Sequence, residues 1–142
     1  MMGEASAEVV AERERLAERV RQELRAAGLP VVLPTEAPVV PAGALVSVDE
    51  TTDEDFSEVA VSWNCHPRLQ DCSRDAYRSN RWDDAAFRHS GVVHRAMIAA
   101  VIGILESAGF AARESPHEYE PLTVEVLSGP GVPPPWVVGD AR

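Results

Sequence analysis

The chain has 142 residues, enough for one domain that buries a full core without disulfides or metals. It carries 23 acidic against 13 basic side chains, a net charge of −10, and every basic one is arginine. That balance excludes an electrostatic nucleic-acid binder, which presents a basic face, and a protein drawn to an anionic membrane surface.

Residues 4–27 predict an amphipathic helix. Val9, Leu16, Val20, Leu24 and Ala27 form one stripe, and Glu12, Arg15, Arg19 and Glu23 cover the rest. Like charges recur four apart (Glu4–Glu8, Glu8–Glu12, Arg15–Arg19), whereas Glu12–Arg15 and Glu18–Arg21 can pair three apart. Gly28 stops the helix and Pro30 prevents its return. The stretch is amphipathic and begins acidic, so it does not read as a signal peptide, and a cytosolic origin is expected.

Val31 to Leu33 predicts a short strand, and Pro34, Pro38 and Pro41 bracket a loop after it. Leu45 to Val48 and Glu58 to Trp63 alternate and predict two antiparallel strands. Val59, Val61 and Trp63 share one face of the second; Ala60 and Ser62 share the other. The connector at 49–57 gathers Asp49, Glu50, Asp53, Glu54 and Asp55. Hard cations want clustered carboxylates, but the calcium-loop spacing and its glycine are missing, so a solvated hairpin tip is expected. Residues 64–81 are polar and arginine-rich, and predict a long loop with room for one helical turn.

The organising element is 89–110, HSGVVHRAMIAAVIGILESAGF. Ala96 to Leu105 is a run of ten residues without a charged or polar side chain. Val92, Val93, Met97, Val101, Ile104 and Leu105 lie at helical spacing, with Ile98 and Ile102 on another face. A helix apolar nearly all round is buried on more than one side. Ser90 is a good N-cap and Gly109 a good stop; a start near Asp83 and Asp84, capped by Asn80 or Ser79, is also compatible. His94, Arg95 and Glu106 interrupt it well short of the ~20 apolar residues a membrane span needs. The expectation is a core helix covered by a sheet on one side and by the first helix or another copy of the chain on a second.

The chain then repeats its earlier helix–glycine–strand pattern: LESAGFAAR echoes LRAAGLPVV. Leu122 to Leu127 predicts the last strand, with Leu122, Val124 and Val126 inward and Thr123 and Glu125 outward. Residues 128–142, SGPGVPPPWVVGDAR, are too proline-rich for a sheet interior and predict an extended arm. The arm is nevertheless apolar at Val132, Trp136, Val137 and Val138, which makes these four, with Trp82, the candidate interface residues. The arm is expected to dock on a neighbouring subunit.

Candidate chemistry is sparse. Cys65, His66 and Cys72 fall in one segment, and His89 and His94 at the start of the long helix. These are zinc-type ligands, but no paired C-x-x-C exists, and five-residue spacing does not put two histidines on one helical face. A Cys–His nucleophile pair lacks an evident orienting third group. No phosphate loop, dinucleotide fingerprint or serine elbow is present. No catalytic, cofactor-binding or metal-binding residue is therefore assigned, and no small-molecule substrate.

The element order defines an α+β domain over 1–127: a mainly antiparallel sheet of about four strands, packed by the N-terminal amphipathic helix and the long buried central helix, with 128–142 as its arm. In its leading helix up to AAGLPVV, the strand EVAVSW, the helix AMIAAVIGILESAGF and the closing YEPLTVEVL, the chain resembles the tail-terminator and head–tail neck proteins of long-tailed bacteriophages. The resemblance is one of element order and covers most of the chain. It implies a non-enzymatic, ring-forming homo-oligomer that meets other structural proteins of a virion, with acidic loops facing a channel or a neighbour. It carries no catalytic residues over. The competing reading is a small cytosolic acidic protein, an adaptor or an immunity-type inhibitor, that binds a basic partner. An enzyme using Cys65, His66 or His94 is the third.

Overall fold

A computed structural model of the chain describes residues 3–34 and 40–137. Its elements are α1 (Ala7–Ala26), β1 (Val31–Val32), β2 (Gly43–Val48), β3 (Val59–Asn64), α2 (Pro67–Arg78), α3 (Ala85–Ser107), β4 (Ala111–Glu114) and β5 (Val124–Ser128). The protein is an α+β domain. Its sheet has five strands in the order β1-β2-β3-β5-β4 and is mixed, because β1 pairs with β2 in parallel while every other pair is antiparallel.

The fifth strand, β4, follows the second helix–glycine stop. Its AARE sequence is largely exposed at the sheet edge, so no apolar alternation announces it. The predicted loop around Pro38 lies outside the described residues. Gly43 fixes the parallel β1–β2 junction. It has φ +139, and a Cβ there would sit 2.7 Å from the Pro30 carbonyl oxygen. Only glycine lets the two backbones approach this closely.

Helices α1 and α3 both pack on one face of the sheet. Ala17, Val20 and Leu24 from α1 meet Val46, Val59, Val61, Val124 and Val126 from the strands and Ile98, Val101 and Leu105 from α3. The period-2 and period-3.6 stripes read from the sequence are the stripes that meet here. Ser6 caps α1 by accepting from the Val9 N–H, and Asp84 caps α3 by accepting from Ala86. The earlier of the two starts for the long helix is thus the real one, but its cap is Asp84 rather than Asn80 or Ser79, and Ser90 is an interior residue.

Three expectations change. Residues 67–78 form a three-turn helix rather than a loop, capped by His66, which accepts from the Arg68 N–H. Pro67 at its first turn needs no donor. It carries one fully buried residue, Ala76, so its sequence shows almost no apolar stripe. Strand β5 begins at Val124 because Leu122 takes a left-handed backbone, φ 52, that cannot continue a strand. Glu125 points away from the core as predicted but is only 6% exposed, because the 115–123 loop folds over it.

The third change concerns α3. Its inner stripe, Ser90, Ile98, Val101 and Leu105, is buried. The sheet and α1 cover that stripe, and α2 packs on the helix as well. The outer stripe has no cover among the described residues: Val92 is 54% exposed, and Ala96, Ala99, Ala100 and Gly103 are exposed with it. Ile102 is half-buried. The helix is a core element, yet its burial is one-sided within the subunit. Despite His94, Arg95 and Glu106, the helix is long and apolar enough by length and composition alone to cross a membrane, and 22% of its most apolar window is buried inside the protein.

Candidate interface

A groove borders the open side of α3. The C-terminal turns of α1 supply Ala26 and Ala27, those of α3 supply Ala100, Gly103, Ile104 and Ser107, and the arm supplies Trp136. The groove holds about 610 Å³. Glu23 lines it too. It lies beside Val20 and Leu24 on the core side of α1 and is only 5% exposed. Its Oε1 accepts a 2.8 Å hydrogen bond from the Trp136 indole N–H, and among the described residues its Oε2 has no hydrogen-bond partner.

The described part of the arm packs on its own subunit. Arg19 donates to the Gly131 carbonyl at 3.0 Å, and Pro130, Pro133, Pro134 and Val137 gather around Arg19, Gln22, Glu23 and Phe110. Gly129 passes so near Phe110 that a Cβ there would come within 2.8 Å of its ring. Val132 and Trp136 remain 79% and 58% exposed, while Val137 is half-buried against α1. Val138 lies outside the described residues. Trp82 is 51% exposed and packs edge-on against Tyr77 and Phe87, with ring centroids 5.1 and 5.6 Å away. The candidate interface residues therefore fall at two places, the arm beside the α1–α3 groove and an aromatic cluster at the α2–α3 turn.

Cys65 and His94 come together. The Cys65 sulfur lies 3.8 Å from Nδ1 of His94, which is 2.7 Å from the Ser90 carbonyl oxygen. A carbonyl only accepts, so Nδ1 carries the proton and cannot take one from the thiol. Burial pushes the thiol pKa up, against a smaller lowering by Ser90. A protonated thiol beside a nitrogen that is already protonated is not an activated nucleophile. Cys72 is exposed on α2, and His66 is a helix cap. Among the described residues no three side chains of metal-ligand type are grouped.

The 49–58 connector is tied to α1 by Arg13. Its guanidinium donates to the carbonyls of Asp49 and Thr51 at 2.6 and 2.9 Å and to Glu58 Oε1 at 3.2 Å. Beside it a groove of about 640 Å³ runs between α1 and the end of β5, with Glu12, Asp53, Glu54, Glu58 and Glu125 among its walls.

Sequence reasoning missed a polar network on the outer face of the sheet. Glu125 accepts from Arg113 Nε at 2.8 Å, and its Oε2 lies 2.8 Å from His117 Nε2. Next to it Glu120 accepts from the Ser57 N–H, the Ser57 hydroxyl and the Ser115 hydroxyl at 2.9, 2.6 and 2.8 Å. Burial pushes the Glu125 pKa up, but hydrogen bonds from His117, Arg113 and Ser57 outweigh it, and the net shift is downward. The network pins the 115–120 loop to the sheet. The partners are 5 to 63 residues apart along the chain, so spacing gave no signal. Glu23 was legible in principle, because it falls beside the Val20–Leu24 stripe.

Comparison with known proteins gives no match: no family model, no curated protein and no solved structure is significantly similar to this chain.

Proposed function

We propose that the protein is a non-enzymatic structural subunit that assembles with copies of itself, of the ring-forming kind found in bacteriophage tail terminators and head–tail connectors. One observation carries this reading: the most apolar helix of the chain presents Val92, Ala96, Ala99 and Gly103 to solvent within a single subunit. A monomer gains nothing from an open stripe of this kind, whereas a neighbour that covers it removes apolar surface from water. Small residues along the stripe let a second backbone approach closely. The α+β order that resembles the phage proteins supports the particular kind of assembly.

Sedimentation of the full chain tests the proposal. The expected result is a mass that is a multiple of 15.4 kDa, with closed rings in electron micrographs. A single-subunit mass across a wide concentration range overturns it. The second reading, an acidic protein that binds a basic partner, is favoured by the carboxylate-lined groove beside α1. In that case the chain is monomeric, and a basic polypeptide binds with strong salt dependence that Glu54→Gln and Glu58→Gln reduce.

A further inference from the structure

Charge is unevenly spread along the chain. Residues 66–95 hold six arginines against four aspartates, so the α2–α3 region is net positive in a chain of net charge −10. Arg78 and Arg88 are exposed there and make no ion pair among the described residues. They follow directly on Tyr77 and Phe87, whose ring centroids are 6.4 Å apart. At the other end of the helix pair Gln70 donates to the Cys65 carbonyl, and Cys65 meets His94. The two helices are therefore antiparallel, and one step on from each ring turns to the same side of the pair. Arg88 lies one turn before Val92 and so begins the open stripe of α3. Tyr77 and Trp82, at the same corner, are each more than half exposed.

The groove between α1 and the end of β5 is the counterpart of this corner. Val9, Phe56 and Leu127 line it and are exposed. Glu12 and Glu54 line it too, are exposed, and make no ion pair among the described residues. Strand β3 fixes where the two surfaces sit. It leaves the groove at Val59 and ends at Asn64, roughly 17 Å on, where α2 follows. His94 stands beside Cys65 at that end, and α3 runs from there back over the core through Val101 and Leu105. Phe87 precedes His94 by seven residues, so the helix carries it about 10 Å further from the groove. The aromatic corner and the acidic groove thus lie at opposite ends of the subunit, and one molecule cannot bring them together.

We propose that copies of the chain join head to tail: Tyr77 and Trp82 of the partner subunit seat in the groove beside α1, and Arg78 and Arg88 of the partner subunit face Glu12 and Glu54. The inference rests on the self-assembly reading above and names its contact. A joint between two different surfaces repeats from copy to copy, and it closes into a ring when the rotation per copy allows. A two-fold pair of grooves would instead set carboxylate against carboxylate. The aromatic side chains supply the affinity, because in the groove they bury apolar surface that neither subunit covers alone. The opposed charges set the orientation and exclude other registers. The occupant is a second copy because the chain itself presents the basic, aromatic surface that an acidic groove with apolar walls fits.

Sedimentation equilibrium of three full-length proteins tests this, with circular dichroism to establish that each is folded. They are the wild type, a corner variant (Trp82→Ala with Arg88→Ala) and a groove variant (Glu12→Arg with Glu54→Arg). All four substituted side chains are exposed, so the subunit fold is retained. Each variant alone associates about 30-fold more weakly than wild type or worse, the loss expected when a tryptophan anchor is removed or interfacial charges are opposed. Mixed in equal amounts, the two variants form a 1:1 complex, because each keeps the surface that the other has lost. A wild-type oligomer that either variant leaves intact overturns the head-to-tail joint and leaves self-assembly standing. So does a mixture in which the two variants stay apart. A monomeric wild type overturns both, whether or not a polyarginine peptide binds its groove.

Discussion

Trp136 and Glu23 are 113 residues apart and joined by one 2.8 Å hydrogen bond from an indole N–H to a carboxylate. The bond fastens a proline-rich arm to the first helix of the same chain. It also gives that buried carboxylate its one hydrogen-bond partner among the described residues, so the arm contributes to the fold and borders the open groove. Trp136→Ala leaves both oxygens of Glu23 unpaired. The expected loss of stability is about 1–3 kcal/mol, the cost of an unsatisfied buried group. In a Glu23→Leu background the same change costs less, because no carboxylate remains to be satisfied. Urea unfolding of the four proteins checks the coupling; equal losses in both backgrounds would rule the bond out as a stabilising contact.

Glu125 makes stability depend on pH. Its folded-state pKa lies below the ordinary value of 4.5. A depressed carboxylate contributes stability that is present above the unfolded-state value and is lost as pH falls through the folded-state value. The chain is therefore expected to lose stability as pH drops below about 4.5. Glu125→Gln lowers stability at neutral pH, where the Arg113 and His117 contacts to a charged oxygen are lost, and flattens the acid limb. Denaturant midpoints between neutral and acid pH report both effects.

The two faces of α3 respond differently to substitution. Leu105→Ala empties a fully buried site and is expected to destabilise by about 2–5 kcal/mol. Val92→Asp leaves the fold intact, since the residue is 54% exposed, and reduces self-association. Ile102→Asp falls between them, because that side chain is half-buried rather than enclosed. Thermal melting and sedimentation, run together, separate the two effects.

The two thiols differ in reactivity. Cys72 is exposed and reacts at once with a thiol reagent, whereas Cys65 is 3% exposed and its pKa is raised by burial. The native protein should titrate one fast thiol and release the second on unfolding. Cys72→Ser removes the fast phase alone. A fast Cys65 reaction would contradict the protonated Nδ1 assigned to His94.

Local periodicity in the sequence determined the elements that bury a regular stripe. Val20 and Leu24 on α1, Val59 and Val61 on β3, and Val101 and Leu105 on α3 repeat at 3.6 or 2, and those repeats are the core. The glycine at 109 ended α3 where the sequence placed it, because the left-handed backbone there, φ 96, is one that glycine adopts without strain. Elements with little to bury left no such trace: α2 encloses Ala76 alone, and β4 is an edge strand of exposed residues. Tertiary structure alone decided the groupings between distant residues. Periodicity reports which face of an element is apolar, not what will cover it. Only the packed chain shows that α3 is covered on one side, that Cys65 meets His94, and that a loop closes over Glu125. Each of these depends on partners brought together by the sheet order, and no spacing along the chain encodes that order.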